Sequence, residues 1–349
     1  MIINRMTPRQ RIEGLLAGKP IDRIPFCPAV YDHKAALIGE TPSRMIRDTT
    51  LFEKAIAREI ETYDPDMIVV GCDVYNVEAE AAGCKVRFYD TNDIPSISES
   101  VIAPGGDIDR LKIPDPQKDG RMPVHLAAGE RIQERFGRDR IIRGALSSPF
   151  SLASELAGPE PLLLALMDQP EWVSELLYWC SGISKAYGKA FVDRGLGVIL
   201  FDSHGSPPLV SPRLYEEIIL PPTAEVIRYF RFDLGIPLVP YIIGGDTRIL
   251  LDLMLATGTN NILCDYKSDL GYFVNYLKDK PVLLRANLDP SFLLTASIDK
   301  IKARVREVLA VGRRHSAFML GTGILPYDMP GEKVIAVREA LDEESQGMI

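Results

Sequence analysis

Several features are missing from this sequence, and each absence removes a class of protein. No apolar stretch approaches the roughly 20 residues that span a bilayer, which excludes a transmembrane protein. The 40 basic residues are outnumbered by 48 acidic ones, and the formal net charge of −8 argues against nucleic acid or an anionic membrane as a partner. Residues 1–16 carry charges where a signal peptide has its apolar core, so we expect a cytoplasmic protein.

Paired cysteines and a dinucleotide-binding motif are missing as well. The five cysteines are scattered and form no CxxC pair, so they indicate reduced thiols buried in the core and carry no metal-site signature. No GxGxxG motif follows a predicted strand. This removes the usual reason to expect an open, doubly wound sheet.

The sequence does contain a regular alternation of short apolar runs and amphipathic segments. The apolar runs predict strands. The segments between them have apolar residues at helical spacing, most clearly over 171–192, and predict helices. Eight such units predict a single (β/α)8 TIM barrel over residues 1–349, with an N-terminal helical extension at 1–23. Prolines and glycines interrupt 75–120, which predicts an irregular or antiparallel excursion after the second strand. The predicted strands are 24–29, 67–70, 141–144, 198–201, 237–241, 262–265, 282–285 and 317–320.

Polar residues follow each predicted strand. The run at 198–201 leads into Asp202, Ser203 and His204 before a loop rich in Gly and Pro. Ser211 followed by Pro212 predicts the start of the next helix, so Asp202 and Ser203 are not needed as its N-cap. Because the carboxyl ends of all barrel strands meet at one rim, the sequence predicts a shared active-site mouth.

A set of motifs runs in order along nearly the whole chain. They are RQRI at 9–12, KPIDRIP at 19–25, SPFSLA at 148–153, FDSH at 201–204, LVSP at 209–212, GGDT at 244–247, NLDP at 287–290 and GTGILP at 321–326. With these motifs the chain resembles the uroporphyrinogen decarboxylase superfamily, which also contains zinc-dependent methyltransferases linked to cobalamin. The resemblance implies a (β/α)8 barrel with its cleft at the strand ends, and a homodimer.

The sequence departs from the decarboxylase pattern within this resemblance. Decarboxylases bind a substrate with several carboxylates through arginines after the first strand, and residues 26–33 contain none. The family's tyrosine after the third strand corresponds to Glu155 and its late histidine to Thr322, whereas Asp73 and Ser203 match. A polyanionic tetrapyrrole is therefore a poor ligand on Coulomb grounds.

The zinc ligands of the methyltransferases are absent too. Their His and Cys on the fifth strand and their second Cys after the eighth correspond to Tyr241, Ile243 and Thr322, which excludes a soft-ligand zinc site there. A divalent metal such as zinc or manganese, held by oxygen and nitrogen ligands, is a separate alternative. Its candidate ligands, whose spacing is not diagnostic, are Asp202, His204, Asp246 and Asp265.

The candidate catalytic residues are Asp73, Ser203 and His204. In a decarboxylase Asp73 would bind developing positive charge on a substrate, and in a methyltransferase it would orient a substrate donor. The third alternative is that it only caps a loop. His204 would act as a general acid or base, or it would only make structural hydrogen bonds.

Substrate binding is expected of other polar residues near the strand ends. Arg285 would hold a substrate carboxylate, or it would pair with Asp265 or Glu155. His33 would face the mouth or lie on the surface of the following helix. The full set of substrate-binding candidates is His33, Tyr75, Glu155, Asp202, Tyr241, Arg285 and Thr322.

Three functions remain open. The lead hypothesis is a methyltransferase that moves a methyl group between a small substrate and the cobalamin of a partner corrinoid protein, because relatives without the arginine signature are mostly methyltransferases. The second is decarboxylation of a small carboxylic acid or porphyrinogen, with Asp73 and Ser203 in the roles that they match. The third is a non-catalytic binding protein on the same barrel, against which the retained Asp73 argues.

Overall fold

The computed structural model describes residues 6–345, in which short parallel strands alternate with helices. The strands are β1 (Phe26–Ala29), β2 (Met67–Val70), β3 (Lys85–Arg87), β4 (Ser96–Glu99), β5 (Ile141–Ser147), β6 (Gly197–Phe201), β7 (Tyr241–Ile242), β8 (Asn261–Cys264), β9 (Leu283–Leu288) and β10 (Phe318–Ile324).

Helices follow the strands of the barrel. The α-helices are α1 (Pro8–Leu16), α2 (His33–Ala36), α3 (Pro42–Met45), α4 (Thr49–Tyr63), α5 (Asn76–Ala81), α6 (Met122–Phe136), α7 (Pro149–Ala157), α8 (Pro159–Asp168), α9 (Pro170–Val192), α10 (Pro212–Leu214), α11 (Leu220–Arg228), α12 (Leu251–Ala256), α13 (Leu270–Tyr276), α14 (Pro290–Thr295), α15 (Ile298–Gly312) and α16 (Gly331–Ser345). Short 3₁₀ turns occupy Ile108–Arg110 and Arg248–Leu250.

Eight of the strands form a closed parallel barrel. They are hydrogen-bonded in the orders β1–β10–β9–β8 and β2–β5–β6–β7. The two sheets meet where β1 lies beside β2 and β7 beside β8. At the first of these seams, Asp66 N donates to Phe26 O at 2.8 Å. The predicted (β/α)8 barrel is therefore confirmed.

The barrel interior is packed in layers, as this fold requires. Ala29, Ala145, Ile199 and Phe201 pack together with Tyr31 toward the carboxyl ends of the strands. A second layer lies toward the amino ends of the strands and contains Cys27, Met67, Leu238, Leu283 and Met319. Ile12 of α1 packs against this layer, so the N-terminal helix closes that end of the barrel. Residues 1–5 of the predicted extension lie outside the described residues.

The structure refines several sequence-based bounds. The strand predicted at 237–241 is reduced to Tyr241–Ile242, because Pro237 and Pro240 have no amide hydrogen to donate to a ladder. The predicted excursion contains an antiparallel hairpin in which Val86 of β3 pairs with Ile97 of β4. Ser211 accepts from Leu214 N, as expected of the N-cap of α10.

Two further expectations concern the helices and the cysteines. The helix predicted over 212–231 is present, but π-helical turns at Tyr215–Ile219 and Tyr229–Asp233 interrupt its α-helical hydrogen bonding. All five cysteines are buried free thiols, as expected. Within residues 6–345, no helix has the length and apolar character needed to cross a membrane.

Candidate active site

A central cavity of about 400 Å3 opens at the carboxyl ends of the barrel strands. Side chains from loops on opposite sides of the barrel converge on it. The polar and charged residues of its lining are Tyr31, Asp73, Tyr75, Asn76, Ser203, Asp265, Tyr266, Arg285 and Asn287. Among the sequence-based candidates, the structure thus brings together Asp73, Tyr75, Ser203, Asp265 and Arg285.

Tyr75 and Ser203 connect the loops after β2 and β6 across the cavity. The Tyr75 hydroxyl donates to Ser203 Oγ at 2.8 Å and accepts from Ser203 N at 2.9 Å. Tyr75 has a φ of 82°, a backbone conformation that is costly for a residue other than glycine. The surrounding contacts therefore hold Tyr75 in a strained position that orients the Ser203 hydroxyl.

Asp73 lines the cavity, but its charge is already matched. Its carboxylate has no solvent exposure, and Arg121 Nη1 lies 2.8 Å from Asp73 Oδ2. Burial raises the pKa of Asp73, while Arg121 opposes that increase. Arg121 also binds Glu80, with Nε 2.5 Å from Oε2. Asp73 is therefore part of a buried ionic network that fixes the loop after β2.

Asp202 and Tyr241 lie behind the cavity lining. The Asp202 carboxylate accepts from Ser151 Oγ at 2.7 Å, from Gly205 N at 3.2 Å and from the Tyr241 hydroxyl. Tyr215 in turn donates to the Tyr241 hydroxyl at 2.8 Å. Because these internal partners surround the carboxylate, neither Asp202 nor Tyr241 lines the central cavity.

His204 and Glu155 form a separate contact beside the mouth. His204 Nε2 lies 3.6 Å from Glu155 Oε1, and the His204 ring is 5.5 Å from the Tyr75 ring between centroids. Burial lowers the pKa of His204 and raises the pKa of Glu155 to about 7. Because its pKa is raised to about 7, Glu155 can hold a proton near neutral pH. His204 faces a side groove next to Phe150 and Leu209 rather than the central cavity.

His33 and Thr322 make structural contacts outside the lining. His33 Nε2 lies 2.6 Å from the Tyr63 hydroxyl and its Nδ1 lies 2.9 Å from Tyr327 O, in a buried position. It is thus neither at the mouth nor on the surface. Thr322 Oγ1 accepts from Ala29 N at 3.0 Å, which joins β10 to β1.

The four candidate ligands for a divalent metal do not converge. Asp246 binds Arg248, and Asp265 accepts from Gly245 N at 2.8 Å. Asp202 is enclosed by its hydrogen bonds, and His204 contacts Glu155. Within residues 6–345, no group of three or more His, Cys, Asp or Glu side chains is arranged to hold a metal.

The family's zinc position does not fit a metal in this chain either. Tyr241 donates its hydroxyl proton to Asp202, Ile243 is a buried hydrocarbon side chain, and the Thr322 hydroxyl is bonded to Ala29 N. These groups provide neither the thiolates nor the imidazole that bind zinc tightly.

Sequence reasoning missed two buried cations beside the cavity. One is Arg121, which neutralises Asp73. The other is Lys34, whose Nζ donates to Val69 O and Gly71 O at 3.1 Å each and lies 3.3 Å from Glu59. Lys34 therefore holds the end of β2 just before Asp73. No local pattern marks either residue, because their partners are distant in the sequence.

Comparison with known proteins agrees with this architecture. The family model described as uroporphyrinogen decarboxylase (URO-D) matches residues 7–344. The methylcobamide:CoM methyltransferase MtbA of Methanosarcina acetivorans is 27% identical over 88% of this chain and 90% of its own length. The methylcobamide:CoM methyltransferase MtaA of Methanosarcina barkeri is 26% identical over 98% of this chain and 99% of its own length.

Similarity to decarboxylases and to a solved structure extends the comparison. A uroporphyrinogen decarboxylase of Geobacter metallireducens is 24% identical over 94% of this chain and 97% of its own length. A solved methyltransferase from Methanosarcina mazei matches with a TM-score of 0.85 and 23% identity, covering 97% of this chain and 99% of the other, and shows the same fold. The chain, a (β/α)8 barrel with a polar cavity at its strand ends, belongs to the uroporphyrinogen decarboxylase family.

Proposed function

We propose that this chain transfers a methyl group between a small substrate in the central cavity and the cobalamin of a partner corrinoid protein. The cavity lining is the observation that carries the proposal. Its volume of about 400 Å3 suits a small ligand. Arg285 is the one Lys or Arg among the described lining residues, too few for a substrate with several carboxylates. Similarity to the methylcobamide:CoM methyltransferases over most of the chain supports the same reaction class.

In this proposal the chain's own residues bind and orient the substrate. Arg285 and Asp265 present opposite charges within one lining, so they would orient a polar substrate along the cavity. Tyr75 holds the Ser203 hydroxyl toward the same space. The partner's cobalamin would carry the methyl group. We assign no step to zinc, because Tyr241, Ile243 and Thr322 do not provide its ligands.

Decarboxylation of a small acid is the second candidate. It is favoured by the position of Asp73 in the cavity lining and by similarity to decarboxylases. The ion pair between Asp73 and Arg121 argues against it, because a carboxylate that is already neutralised stabilises developing positive charge poorly.

The test uses the full chain with a methylated corrinoid protein and a panel of small acceptors. Methyl transfer changes the absorption spectrum of cobalamin, and we expect an acceptor-dependent change that Ser203→Ala slows and Arg213→Gln does not. Arg213 is an exposed residue of α10, paired with Glu217, and serves as a matched surface control. No demethylation across the panel would refute methyl transfer. Release of carbon dioxide from a small acid, lost in a folded Asp73→Asn variant, would instead support decarboxylation.

A further inference from the structure

Two arginines inside the barrel have no carboxylate partner. Arg143 of β5 and Arg285 of β9 are both buried, and within residues 6–345 neither forms an ion pair. Arg143 Nη2 lies 3.6 Å from Cys27 Sγ, and its Nε has no hydrogen-bond partner. Buried charges in proteins are normally paired, because an isolated one is strongly destabilising. The two guanidinium groups therefore need an explanation outside the fold itself.

Glycines on neighbouring strands provide the space for these side chains. A Cβ at Gly321 would lie 2.5 Å from Arg285 Nε and 2.7 Å from the carbonyl oxygen of Cys27. A Cβ at Gly197 would lie 3.3 Å from Arg143 Cγ. Barrel interiors are usually filled by bulky apolar side chains. Here the sequence leaves room for two guanidinium groups instead, so they are a built feature of the interior.

Arg285 has donors that remain available to a ligand in the cavity. Its Nε donates to Asn287 Oδ1 at 3.0 Å and its Nη2 to Thr322 O at 3.2 Å. These bonds fix the guanidinium plane, and no acceptor in the described residues contacts Nη1. Nη1 and the second hydrogen of Nη2 form the kind of fork that binds a carboxylate through two parallel hydrogen bonds.

No other charged residue of the described lining forms an ion pair with Arg285. Asp73 is paired with Arg121, and Asp265 accepts from Gly245 N. The alternative interpretation of Arg285 from the sequence is an ion pair with Asp265 or Glu155, and neither pair is formed in the described residues. Tyr31 lies near both Arg143 and Arg285 and also lines the cavity. Within the described residues the Arg285 guanidinium therefore has no direct carboxylate partner, and the Asp265 carboxylate is the opposite charge elsewhere in the lining.

We infer that the substrate is a small organic acid whose carboxylate binds Arg285, with Arg143 as a second positive charge beneath it. This inference rests on the proposed function for the identity of the site, and it adds the chemical class of the substrate. Arg285 makes the direct contact. Arg143 lies deeper in the barrel and acts on the bound anion through its charge. The opposite end of the acid would then extend toward the open mouth, where the methyl group is exchanged.

The test compares acids with their neutral amides on the unmodified full chain. Propionate and succinate are titrated against propionamide and succinamide at constant ionic strength, with binding followed by ligand-observed NMR and by the midpoint of thermal unfolding. A charge-assisted contact predicts that each acid binds at least about tenfold more tightly than its amide. Equal binding of acid and amide would overturn the inference without any variant.

Variants then assign the preference to the two arginines. Arg285→Gln should remove most of the preference for acids, because it removes the direct contact. Arg143→Met should reduce the preference by about three- to tenfold, because its charge acts from a greater distance. Arg143→Met should also fold well, since it replaces an unpaired buried charge with an apolar side chain. Arg213→Gln should leave the preference unchanged. An undiminished preference in folded Arg285→Gln would overturn the assignment.

This assay contains no corrinoid protein and measures no turnover. A clear preference for acids without methyl transfer would leave the anion site standing and refute the proposed function. Methyl transfer to neutral acceptors, without any preference for acids, would refute the anion site alone.

Discussion

We expect Glu155→Gln to change how the free energy of unfolding depends on pH. Burial raises the pKa of Glu155 from its usual 4.5 to about 7. A carboxyl group that binds its proton more tightly in the folded state stabilises the fold fully below about pH 4.5 and loses this contribution as the pH rises through about 7. Glutamine does not titrate, so the variant lacks this loss.

The structure sets the size of the effect. The difference between 4.5 and about 7 corresponds to an upper limit of about 3.5 kcal/mol, at roughly 1.4 kcal/mol per pKa unit. The Glu155 side chain keeps 16% of its solvent exposure, so water screens part of the energetic penalty of burying its charge. We therefore expect the variant to gain about 1–2 kcal/mol relative to the wild-type protein as the pH rises from about 5 to about 8.

Urea unfolding at several pH values measures this difference. Burial also raises the pKa of Glu78 to about 7. Glu78 is present in both proteins, so its contribution to the pH dependence cancels from the comparison. Glu160→Gln removes an exposed carboxyl next to the same side groove and should give a curve parallel to the wild type. If the curve of unfolding free energy against pH for Glu155→Gln also ran parallel to that of the wild type, the argument from burial would be refuted.

Three further substitutions test the packing around the barrel, each by urea unfolding. Asp66→Asn should cost about 3–5 kcal/mol, because it removes the buried carboxylate that Arg11 and Arg23 share. Arg121→Gln should lower the free energy of unfolding by about 3 kcal/mol or more, because it leaves Asp73 buried without its cation. An unchanged urea midpoint would contradict this prediction. Gly144→Ala would place a Cβ 2.2 Å from the Phe191 ring and should cost about 1–3 kcal/mol, whereas a neutral result would show that the ring moves freely.

The barrel was predictable because its signals are local. The apolar run at 67–70 coincides with β2, since a parallel strand covered on both faces reads as continuous apolar sequence. Tyr75, Ser203 and Arg285 could be predicted to meet because parallel strand ends converge at one rim. Asp202 follows the same strand as Ser203, yet it points behind the lining into a hydrogen-bonded network. The turn of the backbone after the strand decides between these two directions.

The sequence by itself determined the strand–helix alternation, the barrel and the family, because periodicity and short motifs are properties of neighbouring residues. Only the tertiary structure decided which charges are matched. Arg121 reaches Asp73 through the packing of α6 beside β2, whereas Arg143 and Arg285 both lie near Tyr31 inside the barrel without a carboxylate partner in the described residues. Such pairings join residues that are far apart in the chain, and electrostatic energy depends on their distance in space and their burial, neither of which a sequence pattern records.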